Sequence, residues 1–598
     1  MPSSEYAQRL DARRAWAERE QRVHIHIGNV RLVVVLVAAW IGWIAFSKGT
    51  LSGWWLAAPA AAFLGLIVFH ERVLRSRLLA ERAVRYYERG IARLEDRWAG
   101  SGETGERFRD SKHPYAEDLD LFGKGSLFEL LSTARTRAGE DMLASWLLTP
   151  ADSETVRARQ AAATELMPKL DLREELALLG EDVRAGGNSG ALIAWAEAPV
   201  VMKSGGMTSG GARIAASLLS LAALCCGLYY MAQSTPASRV ALILMLAINT
   251  AFGLRFRPSV LQVAHGANEA AHDLSLLAKV FALVERGQYA SPRLSQLREA
   301  LESTPAASQR IARLNRLMEL LDSRENWLMR IVGPPLLYGT QVAFALEAWR
   351  ADSGPHVRAW IAAVAEFEAL SALAGYAYEH PEDPFPEVSG TEACFEAEGL
   401  GHPLLPEARC VRNDLKLGGE LRLLVVSGSN MSGKSTLLRS AGVSAVMALT
   451  GAPVRAKRLR IGPLSVGASI RSGDSLQDGT SRFYAEIMRL RQLVDLAAAG
   501  RPLLFLIDEL LTGTNSHDRQ IGAEAVVRGL VNRGAIGLVT THDLALTQIA
   551  TTMAARGANV HFEDHLENGR ITFDYIMRPG VVKKSNAIEL MRSVGLDI

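Results

Sequence analysis

The stretch Leu421–Thr436, with the sequence LRLLVVSGSNMSGKST, decides the fold of the C-terminal region of this chain. Its apolar, β-prone beginning leads into Gly428-Ser-Asn-Met-Ser-Gly-Lys-Ser435, which matches the pattern G-x-x-x-x-G-K-[ST]. The pattern predicts a strand, a glycine-rich loop and the first turn of a helix. Such a loop turns backbone N–H groups and the positive end of the helix toward phosphate oxygens. We therefore expect Lys434 to reach the β- and γ-phosphates of a nucleotide and Ser435 to ligate Mg²⁺.

Acidic residues follow a second apolar run, Leu503–Ile507, which predicts a buried strand ending in Asp508 and Glu509. Strands of this kind deliver side chains to the edge of the sheet where a ligand binds. We expect Asp508 to hold Mg²⁺, directly or through water, and Glu509 to orient or deprotonate the attacking water. A helix-capping acid pair is the plainer alternative, and the glycine-rich loop in the same domain argues against it.

Two polar residues complete the set of candidates. Ala535–Thr541 predicts another strand, after which His542 can sense the γ-phosphate or help to place water. A lone histidine is more often structural, but the position after a core strand favours a functional role. Ser472–Met488 predicts a small polar loop that leads into a helix, with Ser481 as its N-cap. Nothing in this stretch identifies the phosphate that such a helix start would meet.

The bulk composition bounds the class of protein. A chain of 598 residues predicts several domains, and a net charge of +2 shows no global bias toward nucleic acid. The four cysteines form no C-x-x-C pair or metal-ligand cluster, which favours a reducing, cytosolic setting.

Uncharged apolar runs near the N-terminus and in the middle of the chain predict two transmembrane helical hairpins. The runs are Leu32–Phe46, Leu51–Phe69, Ile214–Ala232 and Val240–Leu254. Arginine is dense on the outer flanks of both pairs, so the positive-inside rule predicts a multi-pass protein of the inner (plasma) membrane with both termini cytoplasmic. A cleaved signal peptide and a buried helical pair are the alternatives for the first hairpin. Trp327–Trp349 contains an arginine and two prolines, and we expect a buried or membrane-surface helix pair rather than a fifth span.

The predicted organisation is multidomain: membrane hairpins, an α-helical core and lever, and a C-terminal α/β P-loop domain. The segments are a basic cytoplasmic segment (1–30), a first hairpin (31–70), a charged helical linker (71–110), a first portion of the helical core (111–212), a second hairpin (213–255), a second portion of the core with the lever (256–385) and the ATPase domain (386–598). The linker is expected to be helical, charged and exposed over 76–110 and to end in the loop Gly100–Gly105.

These motifs together resemble the MutS ATPases, a branch of the ABC-type P-loop ATPases. Asn430-Met431 before the second glycine is distinctive of that family, and Gly513-Thr-Asn515 after the acidic pair resembles the loop beyond its Walker B. Thr541-His542 resembles its switch histidine, and Gly479–Glu486 its signature segment. Gly401-His402-Pro403, with Asn413-Asp414 downstream, is similar to the segment with which the family's ATPase domain begins. In the family, that segment lies near the base of the nucleotide. Asp120–Leu131 through Arg159-Gln160 resembles the helical core.

The resemblance implies a Mg²⁺-dependent ATPase that forms a dimer with two composite sites. Ser481 of each subunit would face the nucleotide bound by the other subunit. The implied catalytic residues are Glu509, His542 and Lys434, and the implied metal ligands are Ser435 and Asp508. The implied nucleotide-binding residues are Gly428, Ser429, Asn430, Met431, Ser432, Gly433, Lys434, Ser435, Thr436, His402 and Pro403.

The chain also departs from the mismatch-repair members of the family. A basic segment and a membrane hairpin stand where those proteins carry a mismatch-reading domain with Phe-x-Glu, and we see no insertion long enough for a DNA clamp of the usual size. We expect no full C-terminal helix-turn-helix dimerisation module and no nuclease domain after Phe573–Gly580. We therefore expect no mismatch-specific recognition.

The sequence-based hypothesis is a membrane-anchored, Mg²⁺-dependent ATPase, most simply a homodimer, that works as an ATP-driven switch on or near DNA at the inner membrane. A DNA-independent membrane switch or scaffold with a protein partner is the alternative. A transporter is disfavoured because the spans carry no intramembrane charge.

Overall fold

The computed structural model describes residues 1–49, 51–184, 189–199, 209–270, 274–302, 305–324, 326–470, 482–511, 516–567 and 570–582. The chain forms two compact units. The first contains Met1–Ser132, Leu147–Arg157 and Gly375–Ile598, and the second contains Thr133–Trp146 and Ala158–Ala374. This division does not test the seven segments predicted from the sequence, and their bounds stay a prediction.

The helices are α1 (Pro2–Trp43), α2 (Ala57–Leu94), α3 (Leu127–Leu131), α4 (Arg137–Leu148), α5 (Ser153–Leu166), α6 (Leu170–Arg184), α7 (Ser189–Glu197), α8 (Ser209–Gln233), α9 (Pro236–Ala270), α10 (Leu274–Arg286), α11 (Pro292–Leu301), α12 (Ala307–Ser323), α13 (Trp327–Val332), α14 (Tyr338–Glu379), α15 (Lys434–Thr450), α16 (Arg482–Ala498), α17 (Ser516–Asn532) and α18 (Gln548–Thr552). The strands are β1 (Glu387–Val388), β2 (Cys394–Leu400), β3 (Asn413–Gly418), β4 (Leu423–Ser427), β5 (Arg458–Ile461), β6 (Ser465–Ser469), β7 (Leu503–Ile507), β8 (Ile536–Thr541), β9 (Gly557–His561), β10 (Asp564–Glu567), β11 (Arg570–Phe573) and β12 (Arg578–Pro579).

A six-stranded sheet with the order β12-β9-β4-β8-β7-β6 forms the core of the first unit. The strands β9, β4, β8, β7 and β6 run parallel, and β12 is antiparallel to β9. Every residue of β4, β7 and β8 is buried, as expected where helices cover both faces of a parallel sheet. A smaller sheet has the order β1-β5-β2-β3. The sequence-based prediction of a mixed α/β domain at the C-terminal end is confirmed.

Helix α15 lies close to this sheet because Gly442 has no side chain. A Cβ atom there would meet Leu119 Cδ2 at 2.5 Å and Leu506 Cδ1 at 2.7 Å. The segment around Leu119 is held on the same unit by Asp118, whose carboxylate accepts from Arg489 Nη2 at 2.6 Å and from the Ile470 N–H at 2.8 Å. The segment that precedes α3 therefore packs on the nucleotide-binding sheet.

The N-terminal helices differ in length from the sequence-based expectation. The expected surface helix over 1–29 and the first apolar run form one continuous helix, α1, because no glycine pair or internal proline interrupts them. The charged helix expected from residue 76 ends at Leu94, so the helical expectation is wrong between this residue and the predicted loop Gly100–Gly105, which is indeed non-helical. Asp96, with a φ of 54°, leaves the helical conformation just after Leu94.

The start of α1 and the end of α2 meet at a buried ion pair in the same unit. Arg93 donates to both carboxylate oxygens of Glu379, with Nε to Oε2 at 2.6 Å, and Tyr6 Oη donates to Glu379 Oε1 at 3.2 Å. Burial favours the neutral form of Arg93, but the Glu379 carboxylate outweighs it and holds the pKa of this guanidinium above its ordinary value. Both α1 and α2 are thereby tied to the end of α14.

Among the described residues, four helices are long and apolar enough to cross a membrane: Pro2–Ser47, Gly53–Leu94, Gly211–Gln233 and Pro236–Gly266. Their apolar side chains are largely exposed, for example Leu36, Leu64, Leu218 and Leu244. Exposed apolar surface of this extent on long helices is typical of lipid-facing segments. The apolar helices match the predicted runs, while membrane insertion itself stays a prediction.

Candidate nucleotide-binding site

The glycine-rich loop lies between β4 and α15, as the motif predicts. Gly428 and Gly433 have φ values of 154° and 102°, which a residue with a side chain rarely adopts, and they let the loop wrap toward the start of the helix. Met431, at the tip of the loop, also has a positive φ of 68° and is 84% exposed. A strained, exposed methionine at this position is typical of a surface that another group covers.

Lys434 is buried at the base of the loop. Its Nζ donates to the carbonyl oxygens of Gly428 at 2.9 Å and Ser429 at 2.8 Å. Burial lowers the pKa of Lys434 below its ordinary value, while the carboxylates of Glu509 and Asp508 oppose this effect. The ammonium group is thus held inside the loop, where a phosphate oxygen would be within reach of a small rotation.

Asp508 joins the loop to the neighbouring strands. Its Oδ2 accepts from Ser435 Oγ at 2.5 Å, and its Oδ1 accepts from Thr540 Oγ1 in a very short hydrogen bond. The strands β4 and β7 flank β8 in the sheet, so their carboxyl ends lie at one edge. The predicted magnesium ligands, Ser435 and Asp508, are therefore adjacent.

Glu509 points toward the same edge. Its φ of 51° is left-handed, and its N–H donates to Thr540 Oγ1 at 3.1 Å. Its Oε1 lies 3.2 Å from His542 Nδ1, and both side chains are partly exposed. The structure thus brings together the predicted general base and the predicted switch histidine.

A cavity of about 890 Å³ lies beside the loop. Besides residues of the loop, its lining includes His402, Arg409 and Val411 of the β2–β3 connection, Phe562 after β9 and Tyr575 after β11. This volume lies within the range of ordinary small-ligand pockets. Of the described candidates, five are not in the lining: Gly428, Ser429, Ser432, His542 and Pro403, the last of which is buried beside His402.

His402 lines this cavity with a buried, uncharged imidazole ring. Its Nδ1 accepts from the Leu404 N–H at 3.2 Å, and its backbone N–H donates to Cys410 Sγ at 3.3 Å. Burial, and secondarily the charges of Arg439 and Arg455, lower the pKa of His402 to about 4. The ring is therefore uncharged at neutral pH and suits contact with a heterocycle.

The fit to a phosphate-bearing ligand and its metal rests on the side chains that line the cavity. A hydroxyl next to a carboxylate, as at Ser435 and Asp508, is a donor set that Mg²⁺ accepts. The hydroxyls of Ser429 and Ser432 are buried and lack a hydrogen-bond partner among the described residues, but neither serine lines the cavity.

Sequence reasoning missed Tyr575 and Arg409. Tyr575 lies beside Gly433, where a Cβ atom would meet its Cδ1 at 3.1 Å, and its carbonyl oxygen accepts from Asn413 Nδ2 at 3.0 Å. It comes from a segment far along the chain with no motif of its own, so no local signal could place it. Asn413, predicted from the sequence to lie close to the base, is in the lining.

Ser481 and Gly513–Asn515 lie outside the described residues. Helix α16 begins immediately after Ser481, and two of its side chains fix its position. Glu486 accepts from the Leu511 N–H that follows the acidic pair, and Arg489 donates to Asp118 and to the His113 carbonyl. The helix expected to carry the signature serine is thus tied to the Glu509 loop.

The parallel sheet, the glycine-rich loop before α15 and the aspartate after β7 define a P-loop nucleotide-binding domain. Residues 424–597 match the family model described as MutS domain V. The chain is 36% identical over 204 residues to "Endonuclease MutS2" from Thermus thermophilus, covering 34% of this chain and 26% of the relative. It is 31% identical over 251 residues to "DNA mismatch repair protein MutS" from Geobacillus thermodenitrificans, covering 41% of this chain and 27% of the relative.

A third relative, "DNA mismatch repair protein MutS" from Natronomonas pharaonis, is 32% identical over 240 residues, which cover 39% of this chain and 27% of the relative. The chain thus spans about a quarter of the length of the curated relatives that it matches. The sequence-based recognition of the MutS family is confirmed for the ATPase-type domain.

The depressed pKa of His402 predicts a specific pH dependence of stability. Since its folded-state pKa is about 4 and its ordinary value is 6.5, the unfolded chain binds this proton more readily, and stability is lost as the pH falls from about 6.5 toward 4. Between pH 7 and pH 5, the wild-type chain should lose about 2 kcal/mol more free energy of unfolding than His402→Gln. Denaturant titrations of the detergent-solubilised chain at each pH measure the difference.

His517→Gln, which changes an exposed histidine of α17, is the matched control and should follow the wild-type curve. Equal acid sensitivity of His402→Gln and the wild type would show that His402 is not the group responsible.

Proposed function

We propose that this protein is a membrane-anchored, Mg²⁺-dependent ATPase that dimerises and works as an ATP-driven conformational switch. The observation that carries the proposal is the cluster of Ser435, Asp508, Glu509 and His542 at one sheet edge, beside the glycine-rich loop. The match of residues 424–597 to MutS domain V supports the same reaction class.

The residues of the loop would bind and orient the triphosphate. Lys434 can exchange its two carbonyl partners for β- and γ-phosphate oxygens, while the N–H groups at the start of α15 face the same anions. Ser435 and Asp508 would hold Mg²⁺, which when bound offsets the charge that develops on the phosphates. The neutral His402 and the Tyr575 ring line the same cavity and suit contact with the base.

Glu509 would act on the attacking water. Its carboxylate is held at the mouth of the cavity by the contact with His542, and both groups are accessible to solvent. A carboxylate in this place can orient the water and accept its proton. His542, whose Nδ1 faces Glu509, can position that carboxylate and respond to the γ-phosphate.

Dimerisation is supported by an exposed apolar face on α16. Tyr484, Ile487 and Met488 lie on one side of this helix and are 54%, 39% and 47% exposed. Met431 at the tip of the loop is a further exposed apolar side chain of the same unit, and exposed apolar side chains of this kind are expected of an interface. Closure of a second subunit on this face would bring the partner's Ser481 helix toward the bound triphosphate.

Membrane anchoring is proposed from the four apolar helices, with both termini and the ATPase domain in the cytoplasm and the bilayer as a lipid partner. DNA near the inner membrane is the proposed load, in line with the names of the MutS relatives. A DNA-independent switch that acts on a protein partner is the second candidate, because the net charge of +2 gives no overall attraction to a polyanion.

Glu509→Gln should bind ATP but hydrolyse it at least about 100-fold more slowly than the wild type, since the amide cannot accept the water proton. Phosphate release by the detergent-solubilised chain measures turnover, and size-exclusion chromatography with ATP measures the trapped dimer. Glu524→Gln, on the surface of α17, is the matched control and should keep normal turnover. Normal turnover by Glu509→Gln would refute the assignment of the base.

Mixing two inactive variants tests whether Ser481 acts in trans. Ser481→Ala and Glu509→Gln should each be impaired alone, and their mixture should recover about a quarter of wild-type turnover, because half of the dimers are mixed and each of these contains one intact composite site. A mixture of Lys434→Ala and Glu509→Gln should recover nothing, since both changes affect the same side of the site. The absence of recovery in the first mixture would place Ser481 in its own subunit's site.

DNA binding by the solubilised chain, titrated over several salt concentrations, separates the two candidate loads. We expect binding at low salt that weakens steeply as salt rises, because phosphate contacts release counterions. Stimulation of ATP hydrolysis by DNA would add support for the DNA hypothesis. Absence of binding even at low salt would overturn it in favour of a protein partner.

A further inference from the structure

The second unit contains a cavity of about 820 Å³ beside α9, at the end of the fourth apolar run. Its walls come from α9, from the junction between α12 and α13, and from the loop that leads into α14. Sequence reasoning gave this region no function. The cavity is about as large as the nucleotide pocket and shares no lining residue with it.

Three arginines from separate segments line this cavity: Arg257 of α9, Arg324 after α12 and Arg330 of α13. Among the described residues, none of the three has a carboxylate within ion-pair distance. Elsewhere in the same unit arginines are neutralised by carboxylates, as Arg293 is by Glu366 at 2.6 Å. Guanidinium groups that no described carboxylate neutralises attract anions, and a planar guanidinium can donate two parallel hydrogen bonds to a phosphate.

The remainder of the cavity is apolar. Leu254, Leu261 and Leu337 contribute to its lining. Next to it, the short helix α13 exposes Trp327 and Ile331, which are 75% and 66% exposed. Large exposed apolar side chains beside arginines are typical of a membrane–water interface. The combination predicts a ligand with a phosphate at one end and a hydrocarbon chain at the other.

The loop that forms one wall is fastened to the two helices of the hairpin. Asn249 Nδ2 of α9 donates to the Pro335 carbonyl at 2.6 Å, and Ser220 Oγ of α8 donates to the Leu336 carbonyl at 2.6 Å. Gln341 Nε2 also donates to the Leu336 carbonyl, at 2.9 Å. Non-helical backbone at membrane depth is tolerated only where its polar groups are satisfied by protein, and here side chains of the hairpin satisfy them. The wall is therefore a built feature of the hairpin.

The position of the cavity matches the headgroup level of the cytoplasmic leaflet. Arg257 follows the last residue of the apolar run by only a few positions, and the apolar Leu254 precedes it. With the cytoplasmic flanks proposed above, the arginines would lie where lipid phosphates lie, and the apolar wall would face the acyl chains. Basic pockets at this level recognise anionic headgroups.

We propose that this cavity binds the headgroup phosphate of an anionic phospholipid of the cytoplasmic leaflet, with Arg257, Arg324 and Arg330 as its ligands. The inference rests on the proposed membrane location of the second hairpin. A free phosphate or the DNA backbone presents the same anion, but neither one accounts for the apolar wall.

The test uses the full chain in neutral detergent, titrated with phosphatidylglycerol or phosphatidylcholine of the same acyl chains. Retained lipid is measured by native mass spectrometry. Phosphatidylglycerol should bind more tightly, and the triple variant Arg257→Gln, Arg324→Gln, Arg330→Gln should weaken its affinity by on the order of 100-fold. The matched control is Arg255→Gln, Arg313→Gln, Arg316→Gln, which removes the same charge from exposed positions outside the cavity and should keep wild-type affinity.

Three results would overturn the proposal. They are equal affinity for the two lipids, equal loss in the cavity variant and its control, and full displacement of phosphatidylglycerol by an equal concentration of glycerol 3-phosphate. Loss of DNA binding in the cavity variant, with lipid retention unchanged, would overturn it in favour of a nucleic-acid site.

An alkaline wash of membranes that contain the chain separates failure of this inference from failure of the proposed function. Release of the chain by the wash would refute both membrane anchoring and the lipid site. Retention in the membrane without a preference for phosphatidylglycerol would refute the lipid site alone.

Discussion

The carboxylate of Asp508 holds the nucleotide site together. One of its oxygens accepts from Ser435 at the start of α15, and the other accepts from Thr540 at the end of β8. Hydrogen bonds to a charged group contribute about 1.5–3 kcal/mol each, so this side chain fixes the helix, the strand and its own strand β7 as one rigid edge. The arrangement depends on parallel pairing, because only parallel neighbours bring three carboxyl ends to the same place.

The turn that follows Asp508 is also held in place by neighbouring side chains. Glu509 and Leu511 both adopt left-handed φ values, of 51° and 55°, which cost backbone free energy and persist only when neighbours enforce them. Arg519 and Glu486 do so, since they bond the Leu510 carbonyl and the Leu511 N–H. The acidic turn and helix α16 are thus mechanically linked, which gives a change at Glu509 a physical route to the exposed face of that helix.

The sequence was sufficient for the features of the site that rest on local patterns. The strands before Gly428, Asp508 and His542 lie within two residues of their predicted bounds, because apolar runs of strand length and glycine punctuation are encoded locally. The end of α2 at Leu94 and the position of Tyr575 were not predictable, since each depends on contacts with distant segments. Ser481 remains a prediction, since it lies outside the described residues.

The polar side chains of the second hairpin distinguish a membrane anchor from a transporter. A substrate path through a membrane needs polar groups that are free to contact a solute. The polar side chains of Ser220 and Asn249 instead donate to the carbonyls of Leu336 and Pro335, and they hold the loop that leads into α14 against the hairpin. Donor groups engaged in this way are not free to contact a solute. That favours the proposed role of the hairpin as an anchor over a path for a solute between its helices.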